Sequence, residues 1–175
     1  YEGIRLGVGL HTNHHFSRAI KFGGYGGYGF LDERFKYGAD ASWFPKRNPL
    51  FEFNGFFLDD LRESGLLAFD LDKRMFSSER LRDYQLQIFE RTTKGGLSFR
   101  GRFSKYLEGK LAHELSNETP AYDYSFDGPD SISFTYSEWI AEFRFGYGEQ
   151  YIQSIWDRIS VAQPYPTFFV RFTLG

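Results

Sequence analysis

The sequence predicts an all-β fold: an antiparallel up-and-down sheet forming a transmembrane β-barrel, with about eight strands present out of a larger barrel. Three observations predict it. Apolar residues recur with a period of two, which puts them on one face of a strand. The apolar face is built chiefly from aromatics, 21 Phe and 12 Tyr in 175 residues, while mean hydropathy is only −0.47. Finally, no uninterrupted apolar run reaches the roughly 18 residues that a membrane-spanning helix needs, so a membrane-spanning chain must cross as strands.

The alternation is read most easily segment by segment. Ile4, Leu6, Val8 and Leu10 oppose Gly3, Arg5, Gly7 and Gly9. Ile20, Phe22, Tyr28 and Phe30 oppose Lys21, Gly23, Tyr25, Gly27 and Gly29. Phe35, Tyr37, Ala39, Ala41 and Trp43 oppose Lys36, Gly38, Asp40 and Ser42. That third segment has the 9–11 residues a tilted strand needs to cross a bilayer. Further segments are Phe51, Phe53 and Phe57 against Glu52 and Asn54, then Tyr84, Leu86 and Ile88 against Gln85 and Gln87. Leu97, Phe99 and Phe103 oppose Ser98, Arg100 and Arg102. Trp139, Ala141, Phe143 and Phe145 oppose Glu138, Glu142 and Arg144, and the opposite parity of Phe134 and Tyr136 predicts a β-bulge near Ser137. Phe168, Val170, Phe172 and Leu174 oppose Arg171 and Thr173.

Connections alternate in length. Leu31–Arg34, Pro45–Asn48 and Thr92–Gly96 read as tight turns, because Pro, Asn and Gly-Gly supply turn dihedrals. Asp59–Arg82, with a mildly helical stretch from Asp70 to Arg82, Tyr106–Asp130 and Gly148–Pro166 read as long connections. Strand counting puts the first two on one side, expected to be extracellular, and Gly148–Pro166 on the other. No linker divides the chain, so residues 1–175 are expected to be one segment, incomplete at both ends. No signal peptide is visible at Tyr1 to Leu10.

Such alternation fits either a soluble barrel with its apolar face inward or a membrane barrel with that face outward. Aromatics at segment ends, among them Tyr1, Phe30, Phe35, Trp43 and Trp139, favour the membrane form, whose interfaces carry aromatic girdles. On this reading Ile4, Leu6, Val8, Phe22, Tyr37, Ala39, Trp43, Phe51, Phe53, Phe99, Phe143, Phe168, Val170 and Phe172 face lipid. Arg5, Lys21, Lys36, Asp40, Glu52, Arg100, Arg102, Glu142, Arg144 and Arg171 line the lumen. Both signs occur there, which points to a cross-lumen ion-pair lattice more than to a lining that selects solutes.

Residues 2–7, the run from Gly24 to Gly38, residues 149–153, Asp157-Arg158-Ile159-Ser160, and Tyr165-Pro166 leading to Phe172-Thr173-Leu174-Gly175 together resemble a family of large outer-membrane proteins of the Bacteroidota. Members carry a periplasmic carboxypeptidase-regulatory-like domain followed by a barrel of uncertain function that resembles the surface-antigen and assembly-factor superfamily. The resemblance implies a preceding periplasmic domain and following strands. The lumen-loop arginine motif of the assembly factors is missing from this stretch, so an insertase role is not implied.

Candidate chemistry is sparse. Cysteine is absent, which removes disulfides, thiol nucleophiles and Cys-based zinc sites. A net charge of −2 with interspersed signs offers no face for nucleic acid. The run from Gly23 to Gly29 lacks the Lys-[Ser/Thr] of a phosphate-binding loop and reads as strand glycines that make room for neighbouring rings. His11, His14 and His15 could offer imidazoles to a metal but lack a predictable further ligand. Glu108, His113 and Glu114, with Ser104 and Ser116 nearby in sequence, are the nearest approach to hydrolytic machinery, and nothing in the spacing orients them. The expectation is an outer-membrane scaffold, assembly or transport component of a Gram-negative cell, without enzymatic activity, cofactor or metal. Its partners would be membrane lipid and other outer-membrane or periplasmic proteins. A soluble lipocalin-like ligand-binding module is the alternative, and an outer-membrane hydrolase a third.

Overall fold

A computed structural model describes residues 4–47, 50–63, 71, 89–120, 133–153 and 158–175. The ten described strands are β1 (Arg5–His11), β2 (Ile20–Gly29), β3 (Arg34–Arg47), β4 (Leu50–Glu63), β5 (Phe89–Arg102), β6 (Leu107–Pro120), β7 (Phe134–Gly146), β8 (Gln150–Gln153), β9 (Arg158–Ala162) and β10 (Thr167–Leu174). Eight form one antiparallel sheet in the order β1-β2-β3-β4-β5-β6-β7-β10, an up-and-down meander, and β8 and β9 pair as a separate hairpin. The sheet is open, with β1 and β10 at its edges.

Burial decides which face is which, and it inverts the arrangement of a soluble protein. Along β3, Phe35, Tyr37, Ala39, Ala41 and Trp43 are exposed, while Lys36, Gly38 and Ser42 are buried. Lys36 is 4 % exposed and Glu142 0 %, against 74 % for Phe35 and 70 % for Leu6. The ladders carry this parity from strand to strand, since directly paired residues share a face. Val8, Gly26, Tyr37 and Asp59 form one such outward row, and Arg100 pairs with both Glu52 and Lys110 on the inward side.

The inward face is concave. Arg5 on β1 donates two hydrogen bonds, 3.0 and 2.9 Å, to Asp60 on β4, across β2 and β3. In a flat sheet those strands would lie about 14 Å apart. That exceeds the combined reach of the two side chains, so the sheet must curl toward its charged face.

Several connections differ from the sequence expectation. Thr92–Gly96 is not a turn: it lies in the interior of β5, paired to both β4 and β6. Gly96 is glycine for space, because a Cβ there would come within 2.8 Å of the His113 carbonyl and 3.0 Å of the Phe56 ring. The expected long connection Tyr106–Asp130 contains β6, and the true β5–β6 turn is residues 103–106. Leu107, Leu111 and Leu115 recur every four residues, a spacing that suits a helix and a strand equally, and the intervening polar residues hide the strand. Gly148–Pro166 contains the β8–β9 hairpin.

No bulge interrupts β7. Its pairing with β6 runs without a shift from Leu107↔Phe145 to Glu118↔Phe134, so Phe134 and Tyr136 lie on the inward face. The irregularity sits between Trp43 and Lys46 instead, where Pro45 can offer no ladder N–H. Pro45 is thus inside β3 rather than in a turn. The expected strand at 84–88 and helical stretch at 70–82 lie outside the described residues, except Leu71.

Candidate functional site

The concave face gathers the charged residues into contact groups. At the β1 edge, Asp60 accepts from Arg5, from the Tyr25 hydroxyl at 2.7 Å and from the Leu61 amide at 2.8 Å. Two glycines form the floor: Arg5 lies over Gly27, and the Tyr25 ring lies over Gly38 so closely that a Cβ there would sit 2.5 Å from it. Beside them Lys36 pairs with Asp32 at 2.6 Å, and its hydrogen bond is the main cause that lowers the Asp32 carboxyl below the usual range.

Across the centre, Arg100 bridges Glu52 at 3.5 Å and Glu108 at 2.5 Å, and Arg102 stands 3.9 Å from Glu108. Lys94 pairs with Glu114 at 2.5 Å. The Tyr136 hydroxyl donates to Glu118. On β7, Glu142 accepts the backbone N–H of Leu71 at 2.7 Å and lies 3.9 Å from Arg171 of β10. Leu71 is itself buried, so one residue of the β4–β5 connection is seated against the charged face.

At the end of β7, Arg144 grips Glu149 through both carboxylate oxygens at 2.6 and 2.7 Å. Tyr151 of β8 donates to Glu149 at 2.5 Å, and Gln163 adds a contact at 3.0 Å. Burial pushes the Glu149 carboxyl up, but hydrogen bonds from Arg144, Tyr151, Ser160 and Gln163 outweigh it and hold the group down at about 2. The same burial, with Glu149 alongside, pushes the Tyr151 hydroxyl up. This knot ties the β8–β9 hairpin to the main sheet.

The structure places Arg5, Lys21, Lys36, Asp40, Glu52, Arg100, Arg102, Glu142, Arg144 and Arg171 on the concave face. The residues read as lipid-facing, from Ile4 just before β1 and Leu6 on β1 to Phe172 on β10, fall on the convex face. Sequence reading missed Asp60, Glu108 and Glu114 as members of the charged face. Their inward parity follows from strand alternation, but for Glu108 and Glu114 β6 had to be recognised first, and for Asp60 the run of β4 to Glu63, past the Asp59 where a long connection was expected to begin.

The other candidates separate. The run Gly23–Gly29 belongs to β2 and opens no helix. The His14 and His15 rings lie 4.0 Å apart, and among the described residues no group of three or more His, Asp or Glu is placed to hold a metal. Ser104 caps the β5–β6 turn by accepting from the Leu107 amide at 3.0 Å. Ser116 is buried on the concave face, opposite in parity to His113. His113 meets Ser137 instead, at 2.9 Å on the convex face.

The convex face changes character toward the end carrying the β4–β5 and β6–β7 connections. Below lies an apolar row of Ala39, Phe57, Gly95 and Leu115, ending at Ser137. The next row is Tyr37, Asp59, Thr93, Asn117 and Thr135, and beyond it Arg91 holds Asp59 at 2.9 Å. Comparison with profiles of known families, with curated proteins and with solved structures returned no match.

Proposed function

We propose that this chain is part of the wall of an outer-membrane β-barrel of a Gram-negative bacterium, of the Bacteroidota type its sequence resembles, working as a scaffold, assembly or transport component. The observation that carries this reading is the inverted burial: a concave face of charged residues in contact, and a convex face of exposed Ile, Leu, Val, Phe and Trp. In water the convex face would cost about 25 cal/mol per Å² of apolar surface left exposed, whereas lipid removes that cost. A lipocalin-like module needs the aromatic face inward, and here it is outward.

The strand lengths agree. β4, β5 and β6 have 14 residues each, three to five more than a tilted crossing requires. The surplus falls where the convex face turns polar, the side of connections 64–88 and 121–133. We assign that side to the cell exterior, and the β8–β9 hairpin to the periplasm. The edges β1 and β10 have one ladder neighbour each, and further strands added there would close the barrel. Cations and anions alternate in contact across the wall, leaving no field of one sign to select a solute, so the lattice serves chiefly to stiffen it.

Nitroxide labels test the reading. In bilayers, oxygen should relax a label on Ala39→Cys preferentially, and a water-soluble nickel chelate a label on Asp40→Cys. Equal nickel access at both sites in folded protein would refute a lipid-facing convex wall. A monodisperse folded monomer in water without detergent would refute it as well.

A further inference from the structure

We propose that Ser137 and His113 form a nucleophile–base pair on the convex wall that hydrolyses acyl esters of membrane lipids; this rests on the reading of that wall as lipid-facing. Ser137 Oγ lies 2.9 Å from His113 Nε2, within proton-transfer distance. In the β6–β7 ladder Ser137 stands opposite Leu115, with His113 and Asn117 one outward position to either side of that leucine. Asn117 donates its side-chain amide to Thr135 Oγ1 at 2.8 Å. The wall therefore presents a nucleophile, a base and an amide donor side by side, facing outward.

Their level on the wall selects the substrate. On one side are Leu97, Leu111 and Trp139, exposed and apolar, with the Trp139 ring 4.5 Å from that of His113. On the other are Asn117, Thr135, Thr93 and Asp59. The pair sits on the seam where an acyl chain, held along the apolar side, gives way to its ester and polar headgroup.

The chemistry balances with water as the only co-reactant. His113 Nε2 takes the Ser137 proton as Oγ attacks the ester carbonyl, and Asn117, turning from Thr135, donates to the carbonyl oxygen as it gains negative charge. The bond from the carbonyl carbon to the alcohol oxygen breaks, and the alcohol leaves with the proton from His113. Water then attacks the acyl-serine and passes a proton to His113. Fatty acid departs as that proton returns to Ser137.

The full-length protein in phospholipid nanodiscs provides the test, with a fluorophosphonate probe mapped by mass spectrometry and fatty-acid release from labelled phosphatidylethanolamine. Labelling should fall on Ser137, vanish in S137A, and slow about 100-fold in H113Q and in N117L. Absence of both labelling and fatty-acid release, in discs where the Ala39 label reports lipid, would overturn the proposal and leave the barrel reading standing. Undiminished fatty-acid release by S137A would overturn it too. Water exposure of the Ala39 label would overturn both.

Discussion

Glu142 is the most demanding position on the charged face, because its side chain is fully buried and it answers to two partners at once. Replacing it with alanine removes the acceptor of the buried Leu71 N–H, 2.7 Å away, and the anion 3.9 Å from Arg171. An orphaned buried donor costs about 1–3 kcal/mol. At an effective dielectric near 20, charges 4 Å apart interact by roughly 4 kcal/mol, and partial exposure of Arg171 reduces that loss. Glu142→Ala should therefore destabilise by about 3–5 kcal/mol. Glu142→Gln keeps an acceptor for Leu71 and loses only the charge, so it should cost about 1–3 kcal/mol less than alanine. Reversible denaturant unfolding in lipid vesicles, followed by tryptophan fluorescence, gives both values. If alanine and glutamine are indistinguishable, Leu71 does not depend on Glu142; if both lie within about 1 kcal/mol of the parent, the charged face does not hold the sheet together.

Ala39→Arg on the convex wall should cost about 2–4 kcal/mol in vesicles, and Asp40→Arg distinctly less, measured by the same unfolding titration. The Glu149 carboxyl is held below its usual 4.5, at about 2, so its contribution to anchoring the hairpin is complete above about pH 4.5 and is lost as pH falls toward 2. Protease cleavage within 147–166 should accordingly rise across that window, and Glu149→Gln should flatten the pH dependence. Proteolysis of intact cells should cut 64–88 or 121–133 and spare 147–166, and the opposite pattern would reverse the orientation. Gly38→Val should force the Tyr25 ring off its floor and weaken the Arg5–Asp60 contact, seen as loss of coupling in a double-mutant cycle between Arg5 and Asp60.

Period-two alternation settled a good deal from sequence alone: that the chain forms strands, which residues of β1, β3 and β10 share a face, and that the two faces differ in chemistry. Such a pattern survives in one dimension because side-chain direction in a strand depends only on parity. It failed where composition disguises parity. Gly95-Gly96 carries a turn signal yet sits in mid-strand, since the Phe56 ring needs the space opposite, a requirement set by a neighbouring strand. β6 was hidden by leucines four apart, and Phe134 and Tyr136 mimicked a bulge when they only put rings on the charged face.

Alternation also cannot say which face is covered. Curvature decides that, and curvature shows only when Arg5 reaches Asp60 across two intervening strands. The partners of each charge were equally beyond sequence, because Glu142 with Leu71 and His113 with Ser137 are separated along the chain by 71 and 24 residues. Ladder register and the closeness of folded strands bring them together, and neither is written in the local order of residues.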